Sequence, residues 1–188
     1  LHPHGFVVAP LDVQYPYPPP DSFKVQDITL EVKQGIGYIK MPGHFAPSDD
    51  MLSTHWVENF HQKLSLESQY VTKGWIIDLT ANTGGSMLPM IAAIGPLLNN
   101  KQIGGYYLKD ENNNIIIQQM TYENGTIKYN DDGESDIICP KLEVDINPLP
   151  MAVLIGEETG SSGELLALAF KHQNQTVLIG KPTSGFAN

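Results

Sequence analysis

The chain has 188 residues, 41% of them hydrophobic, which is enough for one domain with a sizeable core. Its formal net charge of −10 argues against a nucleic-acid partner, because no basic surface is available to meet phosphates, and favours cationic or neutral partners. A lone cysteine, Cys139, excludes a disulfide framework and a thiolate metal cluster, and the chain has no 18-residue apolar run that could span a membrane.

The first 30 residues are predicted to be an N-terminal segment that precedes a single core domain at 31–188. Within that segment, residues 6–9 favour a short extended stretch ended by a proline. Four further prolines then predict a stiff, extended linker, because proline fixes φ and lacks an amide donor: Pro16, Pro18, Pro19 and Pro20.

Alternating strand and helix patterns fill the core domain. Residues 28–32 and 36–41 are typical of two strands joined by a turn. Ser48 and the acidic residues after it predict a helix that runs to about Leu64. One stripe of this helix is apolar and predicts core packing: Leu52, Trp56, Phe60 and Leu64.

The remaining elements predict an α/β fold. Strands are expected at 75–79, 151–155 and 177–179, helices at 87–98 and 165–170, and an antiparallel meander at 106–109, 115–120 and 126–129. Strands that are apolar throughout are typical of a parallel sheet with helices on both faces. We therefore expect mainly parallel buried strands flanked by helices, plus a small antiparallel meander.

A serine-containing turn, Gly160-Ser161-Ser162-Gly163-Glu164, lies between the predicted strand at 151–155 and the helix that follows. At a helix N-terminus, free N–H groups and the helix dipole favour a developing negative charge, which is what a nucleophilic serine needs. The alternative is that Ser161 or Ser162 serves only as an N-cap.

Two glycine turns also follow predicted strands. Paired glycines in Asn82-Thr83-Gly84-Gly85 allow the backbone to approach a ligand closely and to aim N–H groups at it. The alternative is a plain strand-to-helix turn. The second such turn is Gly180-Lys181-Pro182-Thr183-Ser184-Gly185.

Taken in order, these motifs resemble the S41 family of serine peptidases, which includes C-terminal processing proteases, the tricorn core protease and the nisin resistance protein. The matching patterns are Ile-Asp-Leu-x-x-Asn-x-Gly-Gly, Val-Leu-Ile-Gly…Thr-Gly-Ser-Ser-Gly-Glu and Leu-Ile-Gly-x-x-Thr-x-Gly. The resemblance covers about residues 36–185 and implies the crotonase-like fold of ClpP and the S41 peptidases. The stretch 10–30 is too short for the PDZ domain of the processing proteases.

The resemblance also implies roles for individual residues. Ser161 matches the nucleophile. The backbone N–H of Ser162 and that of Gly84 or Gly85 match the oxyanion hole. Two further residues, Asn82 and Glu164, match supporting positions.

The general base divides the family. Processing proteases use a lysine at the position that Phe186 occupies here, so a serine–lysine dyad is excluded, and Lys181 is a poor substitute. The tricorn and nisin-resistance branch uses an early histidine. The N-terminal sequence resembles that motif and implies His4 as the base, with His2 a weaker candidate.

His44, which follows a predicted strand, is the alternative base. The other histidines are predicted to face solvent on helices: His55, His61 and His172. No histidine pair has metal-ligand spacing with a convincing carboxylate, so neither a metal nor a cofactor is expected.

The predicted function is that of a serine endopeptidase that cleaves extended peptide tails, cationic ones in particular. We also expect an envelope-associated, extracytoplasmic location, a membrane tether before Leu1 and a core cut from a longer protein. Two alternatives remain open: a non-catalytic peptide-binding module of the same family, and a crotonase-like acyl-CoA enzyme.

Overall fold

A computed structural model describes residues 25–48, 50–98, 102–123, 126–129, 133–134, 146 and 148–187. The N-terminal segment through residue 24, with His2, His4 and the proline-rich linker, lies outside the described residues. Cys139 lies outside them as well.

In the described residues, the larger sheet has five strands in the order β1-β2-β3-β8-β9. Their bounds are β1 Thr29–Lys33, β2 Ile36–Lys40, β3 Gly74–Asp78, β8 Met151–Ile155 and β9 Thr176–Gly180. β1 and β2 form an antiparallel hairpin, whereas β2, β3, β8 and β9 pair in parallel. The prediction of a mainly parallel sheet is confirmed.

Register places apolar residues side by side in the sheet. Ile39 pairs with Ile77, and Ile77 pairs with Val153; none of the three has exposed surface. Burial of such a row removes branched side chains from water on the core face and contributes about 1.5–3 kcal/mol per side chain. Because the strands are parallel, their carboxyl ends meet at one edge, where open α/β sheets place ligand sites.

The described residues form three helices: α1 Met51–Glu67, α2 Met87–Ile94 and α3 Ser162–Lys171. α1 and α3 pack on strands of this sheet, and α2 packs on both of those helices. The predicted cap, Ser48, is not the N-cap of α1: Asp50 takes that place, because its carboxylate accepts the amide of Leu52 at 3.0 Å. The apolar stripe predicted for this helix is buried at Trp56, Phe60 and Leu64.

α2 ends four residues earlier than predicted, at Ile94, and a 3₁₀ turn at Gly95–Leu97 replaces its last turn. Pro96 is the reason, since it has no amide hydrogen to continue the helical ladder.

The predicted meander is a second, four-stranded antiparallel sheet, ordered β4-β5-β6-β7. Its strands are β4 Gln102–Lys109, β5 Ile115–Glu123, β6 Thr126–Tyr129 and β7 Gly133–Glu134. It joins the core through Ile103, Met120 and Ile127, which are buried. In the described residues, no helix is long and apolar enough to cross a membrane.

Two sequence expectations about burial were wrong. β9 is not a buried strand throughout, because Val177 and Ile179 are 54% and 51% exposed, on the face opposite to that of Leu178, which packs on the core. His61 does not face solvent: it is 3% exposed, and its Nε2 lies 3.1 Å from the carbonyl oxygens of Ala92 and Ala93. The ring thus lies against two carbonyls of the last turn of α2, of which that of Ala92 also accepts the amide of Gly95. His55 and His172 are exposed, as predicted.

Candidate active site

The turn after β8 carries Ser161 at the N-cap of α3. Its φ of 51° and ψ of −123° lie in a region that residues other than glycine rarely adopt, and such conformations concentrate at functional sites. The buried Thr159 stabilises this turn through two hydrogen bonds of its hydroxyl. Its hydroxyl donates to the carbonyl of Leu79 at 2.8 Å and accepts the amide of Gly156 at 2.9 Å.

Asn82 organises the glycine turn after β3. The side chain is fully buried, and its Nδ2 donates to the carbonyls of Met41 and Pro42 at 3.3 and 3.2 Å. Its Oδ1 accepts the amide of Gly84 at 3.0 Å, and its carbonyl accepts the amide of Gly160 at 3.0 Å. One asparagine therefore ties the β2 loop, the glycine turn and the serine turn together.

The glycine turn and the serine turn are in direct contact. Gly84 and Gly85 have φ of +104° and +111°, and a Cβ at Gly84 would lie 2.8 Å from Cβ of Ser161. Only glycine fits this approach. The hydroxyl of Ser162 donates to the carbonyl of Gly85 at 2.6 Å and closes the contact.

Two amides at this contact are left for a ligand. The N–H of Gly84 is bound to Asn82, and that of Ser161 is bound to Glu164. Within the described part of the chain, the amides of Ser162 and Gly85 have no hydrogen-bond acceptor. Two such donors beside a serine hydroxyl can stabilise an oxyanion.

Glu164, three residues after Ser161, connects the serine turn with the segment after β9. Its carboxylate accepts hydrogen bonds from Thr183, Gly185 and Ala187 as well as from Ser161. These hydrogen bonds hold the third sequence motif, the turn after β9, against the first turn of α3.

The Glu164 carboxyl stays ionised in this setting. Partial burial raises its pKa, but the hydrogen bonds from the Thr183 hydroxyl and from the amides of Gly185, Phe186 and Ala187 outweigh that effect. Its pKa therefore lies below the usual value, because the donors stabilise the charged form.

His44 lies beside the glycine turn through its backbone, which pairs with Gly85 in a parallel bridge. Its side chain is fully buried instead against α1, with its ring centroid 4.4 Å from that of Trp56. Ser53 Oγ lies 2.5 Å from the Pro47 carbonyl and donates to it, so it accepts the His44 Nε2–H at 2.7 Å. The imidazole is thus bound to α1, and burial lowers its pKa to about 4.

We expect buried, neutral His44 to make the free energy of unfolding fall as the pH is lowered from neutral. The unfolded histidine binds a proton near pH 6.5 and the folded one only near pH 4, so the unfolded state binds more protons between these values. His44 should then remove about 2 kcal/mol of unfolding free energy between pH 7 and pH 4.5. Urea unfolding of wild type and His44→Gln at both pH values measures this contribution.

The control for this measurement is the exposed His55, which lies on α1, the helix against which His44 packs. His55→Gln should keep the pH dependence of the wild type, whereas His44→Gln should flatten it. Equal pH dependence in wild type and His44→Gln would contradict a buried neutral imidazole.

Sequence reasoning missed three polar residues that build the site: Ser53, Thr159 and Thr183. Thr159 and Thr183 stand inside the second and third motifs, so their position was a usable signal, but their partners come from distant segments. Ser53 had no signal beyond its place in α1. Lys181 pairs with Glu157 at 3.1 Å, with both side chains exposed.

Comparisons with known proteins agree with this architecture. The model of peptidase family S41 matches residues 35–187. The nisin-resistance protein of Lactococcus lactis subsp. lactis is 31% identical over 144 residues, which cover 77% of this chain and 42% of that protein.

Two solved structures share the fold. A lipoprotein from Streptococcus agalactiae matches 86% of this chain and 52% of its own, with a TM-score of 0.65 and 24% identity. The photosystem II D1 C-terminal processing protease matches 87% of this chain and 38% of its own, with a TM-score of 0.51 and 18% identity. The chain therefore spans about half the length of these relatives, or less.

Proposed function

The chain belongs to peptidase family S41, and from this premise we propose that it is a serine endopeptidase whose nucleophile is Ser161. The observation that carries the proposal is the strained Ser161 at the N-terminus of α3, in contact with the double-glycine turn. A hydroxyl held there can attack a peptide carbonyl that faces the two unoccupied amides.

In this proposal the carbonyl oxygen accepts hydrogen bonds from Ser162 N–H and Gly85 N–H. The choice of Gly85 over Gly84 is supported by the hydrogen bond between Gly84 N–H and Asn82. Gly84 instead provides the close approach to Ser161 that its missing Cβ allows.

The base in this proposal is His4. The imidazole of His44, the alternative, is engaged by Ser53, and its pKa of about 4 makes it a weak base at neutral pH. A base works best with a pKa near the working pH.

The substrate in this proposal is an extended peptide tail, bound by strand addition at a sheet edge. A cationic tail is supported by the net charge of −10 and by exposed Glu157 and Glu158, which precede the serine turn. An envelope location is supported by the names of two relatives, a nisin-resistance protein and a lipoprotein.

A fluorophosphonate probe tests the proposal on the full-length protein. Wild type should be labelled once, at Ser161 by peptide mapping, and should cleave a lysine-rich peptide faster than its glutamate-substituted counterpart. Ser161→Ala should show neither activity. Wild type that binds the peptide without labelling or cleavage would instead identify a non-catalytic binding module.

A further inference from the structure

The Glu164 carboxylate is the meeting point of two segments that are far apart in sequence. Its Oε2 accepts the amides of Ser161 at 3.1 Å and Ala187 at 2.7 Å. Its Oε1 accepts the Thr183 hydroxyl at 2.5 Å and the Gly185 amide at 2.8 Å. Each oxygen thus has at least two donors, and at least two of these contacts would be lost if either oxygen became an amide nitrogen.

These contacts bear directly on the conformation of Ser161. Its positive φ is unfavourable for a residue with a Cβ and persists only where surrounding contacts determine it. A hydrogen bond from its own N–H to an ionised acceptor is a strong one and fixes the peptide plane before the nucleophile.

The same contact decides which amide remains for substrate. At the start of α3, the amide of Ser161 is bound by Glu164 and that of Gly163 by the carbonyl of Gly160. This leaves the amide of Ser162 as the donor that faces the glycine turn in the described residues.

We propose that Glu164 is a positioning residue for Ser161, acting as a clamp between the serine turn and residues 183–187. The clamp keeps the nucleophile in its left-handed conformation and directs the Ser162 amide toward the scissile carbonyl. This inference rests on the proposed peptidase function. It adds a role for the turn after β9, which would hold the Glu164 carboxylate in place.

Glu164→Gln tests the clamp with little change in side-chain volume. Loss of two hydrogen bonds to a charged acceptor should lower kcat about 10- to 100-fold. KM should stay within about threefold, because positioning of a nucleophile acts on the transition state rather than on substrate binding. Fluorophosphonate labelling of Ser161 should slow by the same factor as kcat.

Glu157→Gln is the matched control, because the same chemical change occurs in an exposed residue that pairs only with Lys181 among the described contacts. It should keep wild-type kcat and labelling. If Glu164→Gln also kept both, the clamp would have no positioning role.

Thr183 gives a second, milder pair of variants. Thr183→Val removes the hydroxyl at constant volume and should lower kcat and labelling together, whereas Thr183→Ser keeps the donor and should restore both. Wild-type activity in Thr183→Val, or no rescue by Thr183→Ser, would count against the clamp, and this holds even if Glu164→Gln fails to fold.

Amide hydrogen exchange separates this proposal from the peptidase proposal, since it needs no turnover. The amides of Gly185 and Ala187 should exchange at least about tenfold faster in Glu164→Gln than in wild type, because each loses or weakens its acceptor. Faster exchange with an inactive wild type would support the clamp and refute the peptidase. Unchanged exchange would overturn the clamp whatever the activity.

Discussion

Ser161→Ala is expected to lower kcat/KM on a cleavable peptide by about 10⁴- to 10⁶-fold while the fold stays intact. Alanine has no hydroxyl to attack the carbonyl, and the amides of Ser162 and Gly85 can then only polarise the peptide bond toward water. The remaining rate should be that of attack by water, assisted only by the two oxyanion-hole amides. Steady-state cleavage and fluorophosphonate labelling measure the loss, and circular dichroism with urea unfolding checks the fold.

Ser162→Ala is the matched control, one residue further along the chain. Its backbone amide survives the substitution, but its hydroxyl bond to the Gly85 carbonyl, at 2.6 Å, is lost. One hydrogen bond contributes about 1 kcal/mol, so we expect a loss of no more than about tenfold in kcat/KM. An inactive Ser162→Ala beside an active Ser161→Ala would move the nucleophile to Ser162.

The parallel sheet could be predicted from the sequence because its strands are short, apolar throughout and separated by helical patterns. Such strands can be buried on both faces, as in β3, where Ile77 on one face and Asp78 on the other are both buried. The exposed face of β9 could not be predicted, because Val177 and Ile179 have the same composition as buried strand residues. Composition gives the preference of a side chain, whereas the neighbouring elements decide whether something covers it.

The location of the site was predictable for a related reason. Parallel strands end at one edge of the sheet, so motifs placed directly after β3, β8 and β9 had to meet there. The proposed choice of Gly85 over Gly84 could not be made from the sequence, because it depends on which amide the Asn82 side chain binds. His61 was misjudged likewise, since its partners are carbonyls at the end of another helix.

The contacts of Glu164 could also be predicted only in part from the sequence. A glutamate three residues after a helix N-cap predicts a local capping contact, and the hydrogen bond from Ser161 N–H is of that kind. Its other donors, which include the Thr183 hydroxyl and the Ala187 amide, lie about twenty residues away, after β9. Only the tertiary structure reveals that a helix cap is also the attachment point of a second segment.

His4→Ala is expected to reduce kcat/KM nearly as far as Ser161→Ala, because residues of one catalytic unit do not contribute additively. If His4 accepts the proton of Ser161, activity needs its neutral form. The rate should therefore rise with pH through an apparent pKa near 6.5, the ordinary histidine value, and then level off. Measurement of kcat/KM from pH 5 to pH 9 follows this rising limb of the pH–rate profile.

His2→Ala and His44→Gln are the controls that assign this rise of kcat/KM with pH to His4. His2 lies two residues away, and its loss should leave the profile unchanged. His44 is held neutral by burial, with a pKa of about 4, so it remains neutral throughout the range in which the limb is expected. His44→Gln should therefore keep both the limb and most of the rate at neutral pH. Retained activity in His4→Ala, together with loss in His44→Gln, would transfer the base to His44 and would require its imidazole to leave Ser53 during turnover.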